Sequence, residues 1–363
     1  MACSTRGPAV LAPTPETTET VTAPVRGHSR RVALLAGVIL LPAGIALAWW
    51  AASAAVLVTL VRMILLVAGV LLAITGLGRV AGAVRGKPVD VVFGLAMAWL
   101  VLVVSAAALA PWLPLNNHAD AVAGLSSPVF AEPGGLGAEH PLGTNNFGLD
   151  VLARTVHGAR TSLLVALVAV LVGTVVGGLV GLVSGFVRGT TDRVVGILSN
   201  TLLAVPPLIL LIALGTVLDP SVRSIAFALS LLTIPSMVRL ARANTITVAQ
   251  REYVLAARAL GAAPGRLMVR EVLPNVLLPV LSLAVVMISV LVVAEASLSF
   301  LGIGIEQPEP TWGNMIAEGQ GGVMEDHPFI LVVPGVCLFL TVFSFNLLGE
   351  RAQKRWDPRS TKL

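Results

Sequence analysis

Residues 161–187 read TSLLVALVAVLVGTVVGGLVGLVSGFV, a run without one charged side chain. A helix of about 20 such residues is long enough to cross the hydrocarbon core of a bilayer. The run is continuously apolar and does not alternate, so it reads as a helix and not as a barrel strand. Gly173, Gly177, Gly181 and Gly185 recur every fourth residue. On a helix they form one smooth face that lets a neighbouring helix approach closely, which is a packing device and not a chemical one. This stretch sets the fold class as an all-α integral membrane protein.

Seven more apolar runs surround it, at 32–51, 54–77, 91–111, 194–216, 223–243, 276–298 and 328–348. Hydrophobic residues make up 56% of the 363 positions and charged ones 12%, with a mean hydropathy of +0.90, far from the composition of a soluble domain. Only Ala52 and Ser53 separate the first two runs, and Arg62 falls inside the second, where a charge is costly unless it faces a partner helix. Cationic side chains are unevenly distributed between the loops. One side collects Arg26, Arg30, Arg31, Arg79, Arg85, Lys87, Arg188, Arg193, Arg239, Arg242, Arg251, Arg258, Arg266, Arg270 and the tail from Arg351 to Lys362; the other has Arg154, Arg160 and Arg223. Eight spans and the positive-inside rule put both termini and the loop 244–275 in the cytoplasm. This distribution also explains the basic pI through topology, with no nucleic-acid partner required.

Residues 1–31, rich in Thr, Pro and Ala, read as a disordered cytoplasmic tail with no secretory signal. Cys3 and Cys337 support neither a disulfide framework nor a metal site. His140 and His157 stand seventeen positions apart without nearby cysteine or carboxylate ligands, so no metal is expected. Gly86 and Lys87 are followed by Pro88, which leaves no phosphate-cradling loop for ATP. Ser184 has no histidine at comparable depth to act as its base, so the chain is not expected to be an enzyme. Two segments exceed ordinary turns: 112–160, which reads as ordered turns more than helix, and 244–275.

The inner segment carries the strongest motif: Glu252, Tyr253, Val254, Leu255, Ala256, Ala257, Arg258, Ala259, Leu260, Gly261, closed by Leu273 and Pro274. Two short helices joined at Gly261, the second starting at Arg266 and ending before Pro274, would form a compact knob. Without more, the segment could equally be an amphipathic helix on lipid head groups. The ordered match, however, resembles the coupling loop of ABC importer permeases, Glu-Ala-Ala followed after three residues by Gly and later by Leu-Pro. The family's first Glu falls at Leu255, with Glu252 one turn earlier, and Glu271 stands where the peptide branch usually has His.

Three further segments are similar to the dipeptide, oligopeptide and nickel branch of that family. The first runs from His140 and Pro141 through Gly143, Thr144, Gly148 and Asp150 to Gly158, Ala159 and Arg160, with Asn145 and Leu149 at positions where the family usually has Asp and Arg. The second is Glu295 to Gly304 with Trp312, Gly313, Asn314 and Met315; the third is Phe345 to Glu350 with Asp357, Pro358 and Arg359. The resemblance implies a six-helix permease core, 91–348, with outer loop 112–160 and coupling loop 244–275. An accessory two-helix hairpin, 32–77, precedes it, and a cytoplasmic tail, 349–363, follows.

It further implies a multi-pass subunit of a bacterial plasma (inner) membrane, embedded in lipid. Its partners would be a second homologous permease, two ABC ATPase subunits that hold ATP and Mg, and an extracytoplasmic substrate-binding protein; no cofactor is bound by this chain itself. Glu252, Tyr253, Ala256, Ala257, Gly261, Leu273 and Pro274 would form the coupling loop. Pro206 and Pro207 must bend or break their span, giving either a pathway-lining segment or a static kink. Glu295 is either a pathway contact for a cation or peptide amino group or an interfacial acid held by neighbouring backbone. Short peptides are the expected cargo and nickel the alternative. An ion-coupled secondary transporter is the rival from another class, but no repeat is evident and no acid lies deep in a span.

Overall fold

A computed structural model describes residues 26–53, 69, 72–80, 82–84, 90–135 and 138–356. Contacts divide the chain into two units, Met1–Val92 and Phe93–Leu363. In the first, α1 (Arg26–Ser53) begins earlier than the sequence suggests, so residues 26–31, expected in a disordered tail, are helical. The rest of that tail, Arg62 and much of the run 54–77 lie outside the described residues. Where the second arm is described, residues 72–80 run antiparallel to α1 at very close range. A methyl group on Gly69 would lie 2.7 Å from the backbone nitrogen of Ala48, and one on Gly76 would lie 2.5 Å from that of Leu41. Glycine is what allows two helix backbones this close.

The second unit holds all but the first two residues of α2 (Val91–Leu109), together with α3 (Val151–Val187), α4 (Gly189–Ala204), α5 (Pro207–Gly215), α6 (Val222–Val248), α7 (Glu252–Ala259), α8 (Leu273–Phe300), α9 (Trp312–Glu318) and α10 (Phe329–Trp356). Among the described residues, five helices, or six if α4 and α5 form one broken span, are long and apolar enough to cross a membrane. Among the described residues there are helices and one isolated bridge, Thr144 to Asp150, but no strand. The glycine face of α3 meets α6. Cβ atoms added at Gly173, Gly177, Gly181 and Gly185 would approach the side chains of Thr233, Met237, Ala241 and Thr245 within about 3 Å. The constant offset of 60 residues means that α3 and α6 lie side by side and run parallel.

That parallel pairing decides what the bent pair does. A chain that leaves α3 and re-enters α6 in the same direction must return to the first end between them. The α4 and α5 axes differ by 84°, yet Gly215 at the end of α5 abuts Ile303 just beyond α8, at the opposite end from Arg188. They are therefore one broken span, and not a hairpin that turns back. The break falls at Pro206 and Pro207, where Val205 and Pro206 are extended and Pro207 starts a new helix.

Three boundaries differ from expectation. α3 begins at Val151, because Asp150 Oδ1 accepts the Ala153 backbone N–H at 2.8 Å and caps the helix, so residues 151–160 are not loop. α10 continues to Trp356 with a Lys354–Glu350 pair one turn apart at 2.6 Å, so most of the expected tail 349–363 is helix. Pro274 does not close a short helix. A helical turn at Pro264–Leu267 passes through a widened π turn, Met268–Val272, into α8, and the Leu273 N–H reaches back to Met268 O. The missing proline N–H and the bulk of its ring are accommodated by that widened turn.

Candidate functional site: a pinned cap and an exposed helical knob

The bundle has two distinct ends. At one, residues 113–150 and 301–328 form a cap held by polar groups far apart in sequence. Asp150 caps α3 with one oxygen, and its other oxygen receives His140 Nδ1 at 2.9 Å. Asn145 Oδ1 accepts the backbone N–H groups of Phe147 and Leu149, at 3.0 and 2.9 Å, while its Nδ2 donates to Glu318 Oε2 at 2.9 Å. A neutral amide suits this position, since an aspartate there would face the Glu318 carboxylate. Gly148 between them takes φ 68°, a conformation that glycine adopts without a side-chain penalty.

Beneath Asn145 lies a pair that the sequence reading missed. Arg154, 1% exposed, places NH2 2.5 Å from Glu318 Oε1, and NH1 donates to the carbonyls of His118 at 3.0 Å and Pro308 at 3.1 Å. His118 stacks on His157 with ring centroids 3.6 Å apart. Burial pushes the His118 imidazole below its ordinary pKa, with Glu309 opposing and Arg154 reinforcing that shift. Arg160, singled out in the motif, is instead partly solvent-facing, with its neighbours Gly158 and Ala159 buried. Gly158 touches Thr311, and Trp312, fully buried, donates its indole N–H to Thr155 O at 3.1 Å. The segments 140–162 and 295–318, read separately from sequence, are thus one locked structure. Thr144 is buried within it, donating its hydroxyl to Pro128 O, and Gly143 packs on Phe329.

Glu295 belongs to this lock. Its side chain is fully buried, accepts the Ser299 hydroxyl at 2.7 Å, and sits beside the hydroxyls of Ser162 and Thr311. Polar side chains from α3, α8 and the segment before α9 converge on it.

The other end carries the knob. α7 is anchored by Val254, 0% exposed, and the following turn by Leu267 and Val272, both buried. Gly261 turns the chain with φ 84° and no side chain nearby, so the requirement for glycine here comes from the backbone. Outward, α7 shows Glu252, Tyr253, Leu255, Ala256, Arg258 and Leu260; Ala257 is half-buried, Leu273 half-buried and Pro274 exposed. Tyr253 and Leu255, on either side of buried Val254, and Leu260, just past the helix end, are 44%, 48% and 89% exposed. Glu271 lies at the π turn, where its carbonyl accepts the Asn275 amide at 2.7 Å. Pro206 and Pro207 lie at the break of the bent span, far in the chain from both of these clusters.

A bundle of long apolar helices, with a polar lock at one end and a protruding helical knob at the other, defines a polytopic membrane permease subunit. A family model described as binding-protein-dependent transport system inner membrane component matches residues 177–362, which include the knob. The dipeptide transport system permease protein of Escherichia coli (strain K12) is 37% identical over 270 residues, covering 74% of this chain and 88% of that protein. The di/tripeptide transport system permease protein of Pseudomonas aeruginosa (strain UCBPP-PA14) is 34% identical over 265 residues, 72% of this chain and 86% of the relative. A putative peptide transport system permease protein of Brucella suis biovar 1 (strain 1330) is 33% identical over 267 residues, covering 74% and 88%. The chain belongs to the family of binding-protein-dependent transport system inner membrane components, the permease subunits of ABC importers.

Proposed function

We propose that this subunit forms half of the translocation pathway of an importer for short peptides, pairs with a second homologous permease, and is driven by two cytoplasmic ATPases docked on α7. The observation that carries the coupling role is the exposure of Tyr253, Leu255 and Leu260 on and just after a short helix anchored by Val254. Three large apolar side chains exposed around one short helix suit a groove on a partner protein that closes around it. ATP and Mg belong to the partner subunits, and this chain does no chemistry of its own. The relatives' names, which specify peptides, dipeptides and di/tripeptides, support peptides as cargo over nickel.

The positive-inside distribution puts the knob, and both termini, on the cytoplasmic side of a bacterial plasma membrane, and the cap outside, where a substrate-binding protein would deliver cargo. Closure of the ATPase pair would move the knob and exchange inward and outward packings of the bundle. The test is co-purification from detergent. The chain is expected to bring down ATPase subunits, and Gly261→Pro or Ala257→Glu to abolish that association while membrane insertion remains normal. Undiminished ATPase association in both variants would end the docking role, and peptide uptake by this chain alone would favour an ion-coupled carrier instead.

A further inference from the structure

A cleft of about 300 Å³ opens between α4 and α6, toward the knob end of the bundle, and no step of the transport reading uses it. Asp192, Arg193, Gly196, Asn200, Arg239 and Arg242 line it. Three guanidinium groups therefore face one carboxylate. That carboxylate is committed: Arg242 donates to Asp192 Oδ1 through Nε and to Oδ2 through NH2, the latter at 2.7 Å. Among the described residues no carboxylate lies within ion-pair distance of Arg193 or Arg239; Arg239 makes only a 3.3 Å contact to Asn200 Oδ1. Gly196 leaves the cleft open, since a Cβ there would meet nothing within 4 Å.

The cleft also sits at the edge of an apolar surface. On the same helix Ile197, which lines the cleft, is 59% exposed, and α3 ends just before it with Val187 61% exposed immediately before Arg188. Cationic groups with spare donors next to exposed aliphatic side chains match a ligand that is an anion at one end and a hydrocarbon at the other. From this geometry we propose that the α4–α6 cleft binds the phosphate headgroup of an anionic phospholipid, with an acyl chain along Ile197. Arg193 and Arg239 supply the unneutralised charge, and Asp192 holds the Arg242 guanidinium in place while leaving it one further nitrogen for the phosphate. Basic pockets between transmembrane helices are suited to such headgroups. A bound lipid would tie α4, the first half of the broken span, to α6.

The test uses the assembled transporter, purified in detergent and read by native mass spectrometry during titration with phosphatidylglycerol, phosphatidylcholine or inorganic phosphate. The parent is expected to retain phosphatidylglycerol in preference to phosphatidylcholine. The R193Q/R239Q double variant should lose affinity about thirtyfold, a factor of roughly five for each cation near an anionic headgroup. Gly196→Leu fills the cleft and leaves every charge in place, so it should also abolish retention while the protein elutes as the intact complex. Equal retention of phosphatidylglycerol by the parent and both variants would overturn the proposal. Displacement of the lipid by inorganic phosphate at matching concentration would overturn the lipid assignment in favour of a free anion. Neither outcome bears on ATPase association, so failure here is separable from failure of the coupling role.

Discussion

At the scale of single residues, the informative side chains are the buried polar ones. Arg154 and Glu318 are 164 positions apart and almost wholly excluded from solvent, with side-chain exposures of 1% and 4%. Neither charge tolerates isolation. Removing one partner from such a pair costs about 3–5 kcal/mol, because the other is left buried and uncompensated. Glu318→Ala is therefore expected to lower the thermal midpoint of the detergent-solubilised protein strongly, whereas Arg154→Met with Glu318→Leu should recover much of the loss. A scanning-fluorescence melt of the three proteins checks this, and equal midpoints for Glu318→Ala and the parent would contradict the lock. Nothing local in the sequence marks Arg154: it is one more cation near the start of a long helix. Its partner was invisible for the same reason, since pairing across 164 residues is fixed only when α3 and α9 meet.

At the scale of elements, the glycine stripe of α3 shows what periodicity determines and what it leaves open. The four-residue repeat announced a close helix contact, but not its partner, its direction or its register. Those follow from α6 lying parallel at an offset of 60 residues. The adjacent Gly178 provides a control, because it points away from this seam toward Val280. A methyl on Gly181 would lie 2.5 Å from Val238 O, whereas one on Gly178 would have its nearest neighbour at 3.8 Å. Gly181→Ala should thus destabilise the protein by about 1–3 kcal/mol through overpacking, and Gly178→Ala should be neutral or slightly stabilising. Comparing the fraction folded after a graded detergent challenge distinguishes them, and equal behaviour of the two would refute the register. Pro274 taught the opposite lesson: a proline usually read as a helix stop is carried inside a continuous helix once a π turn widens the backbone behind it.

At the scale of the whole molecule, the internal contacts separate Met1–Val92 from the rest, and the relatives align to about three-quarters of this chain. We expect a variant lacking residues 1–88 to insert, to associate with its ATPase partners and to support peptide uptake within about twofold of the full chain, which is the range left by a change of well under 1 kcal/mol. Measured uptake in membrane vesicles decides it, and a loss of more than tenfold would give the first unit a part in transport.

The sequence by itself determined that the chain is a helical membrane bundle, where most of its spans fall, and that the segment around Gly261 is a candidate docking element. The first two rest on local information, runs of apolar residues and a four-residue repeat; the third rests on the resemblance of residues 252–274 to a known coupling loop. Only the tertiary structure decided that 140–162 and 295–318 form one cap and that Glu295 is buried inside it. It also brought Arg193 and Arg239 to one cleft. These are pairings between distant segments, and a buried charge or a close backbone contact has no local signature, since its energy exists only when the second segment arrives.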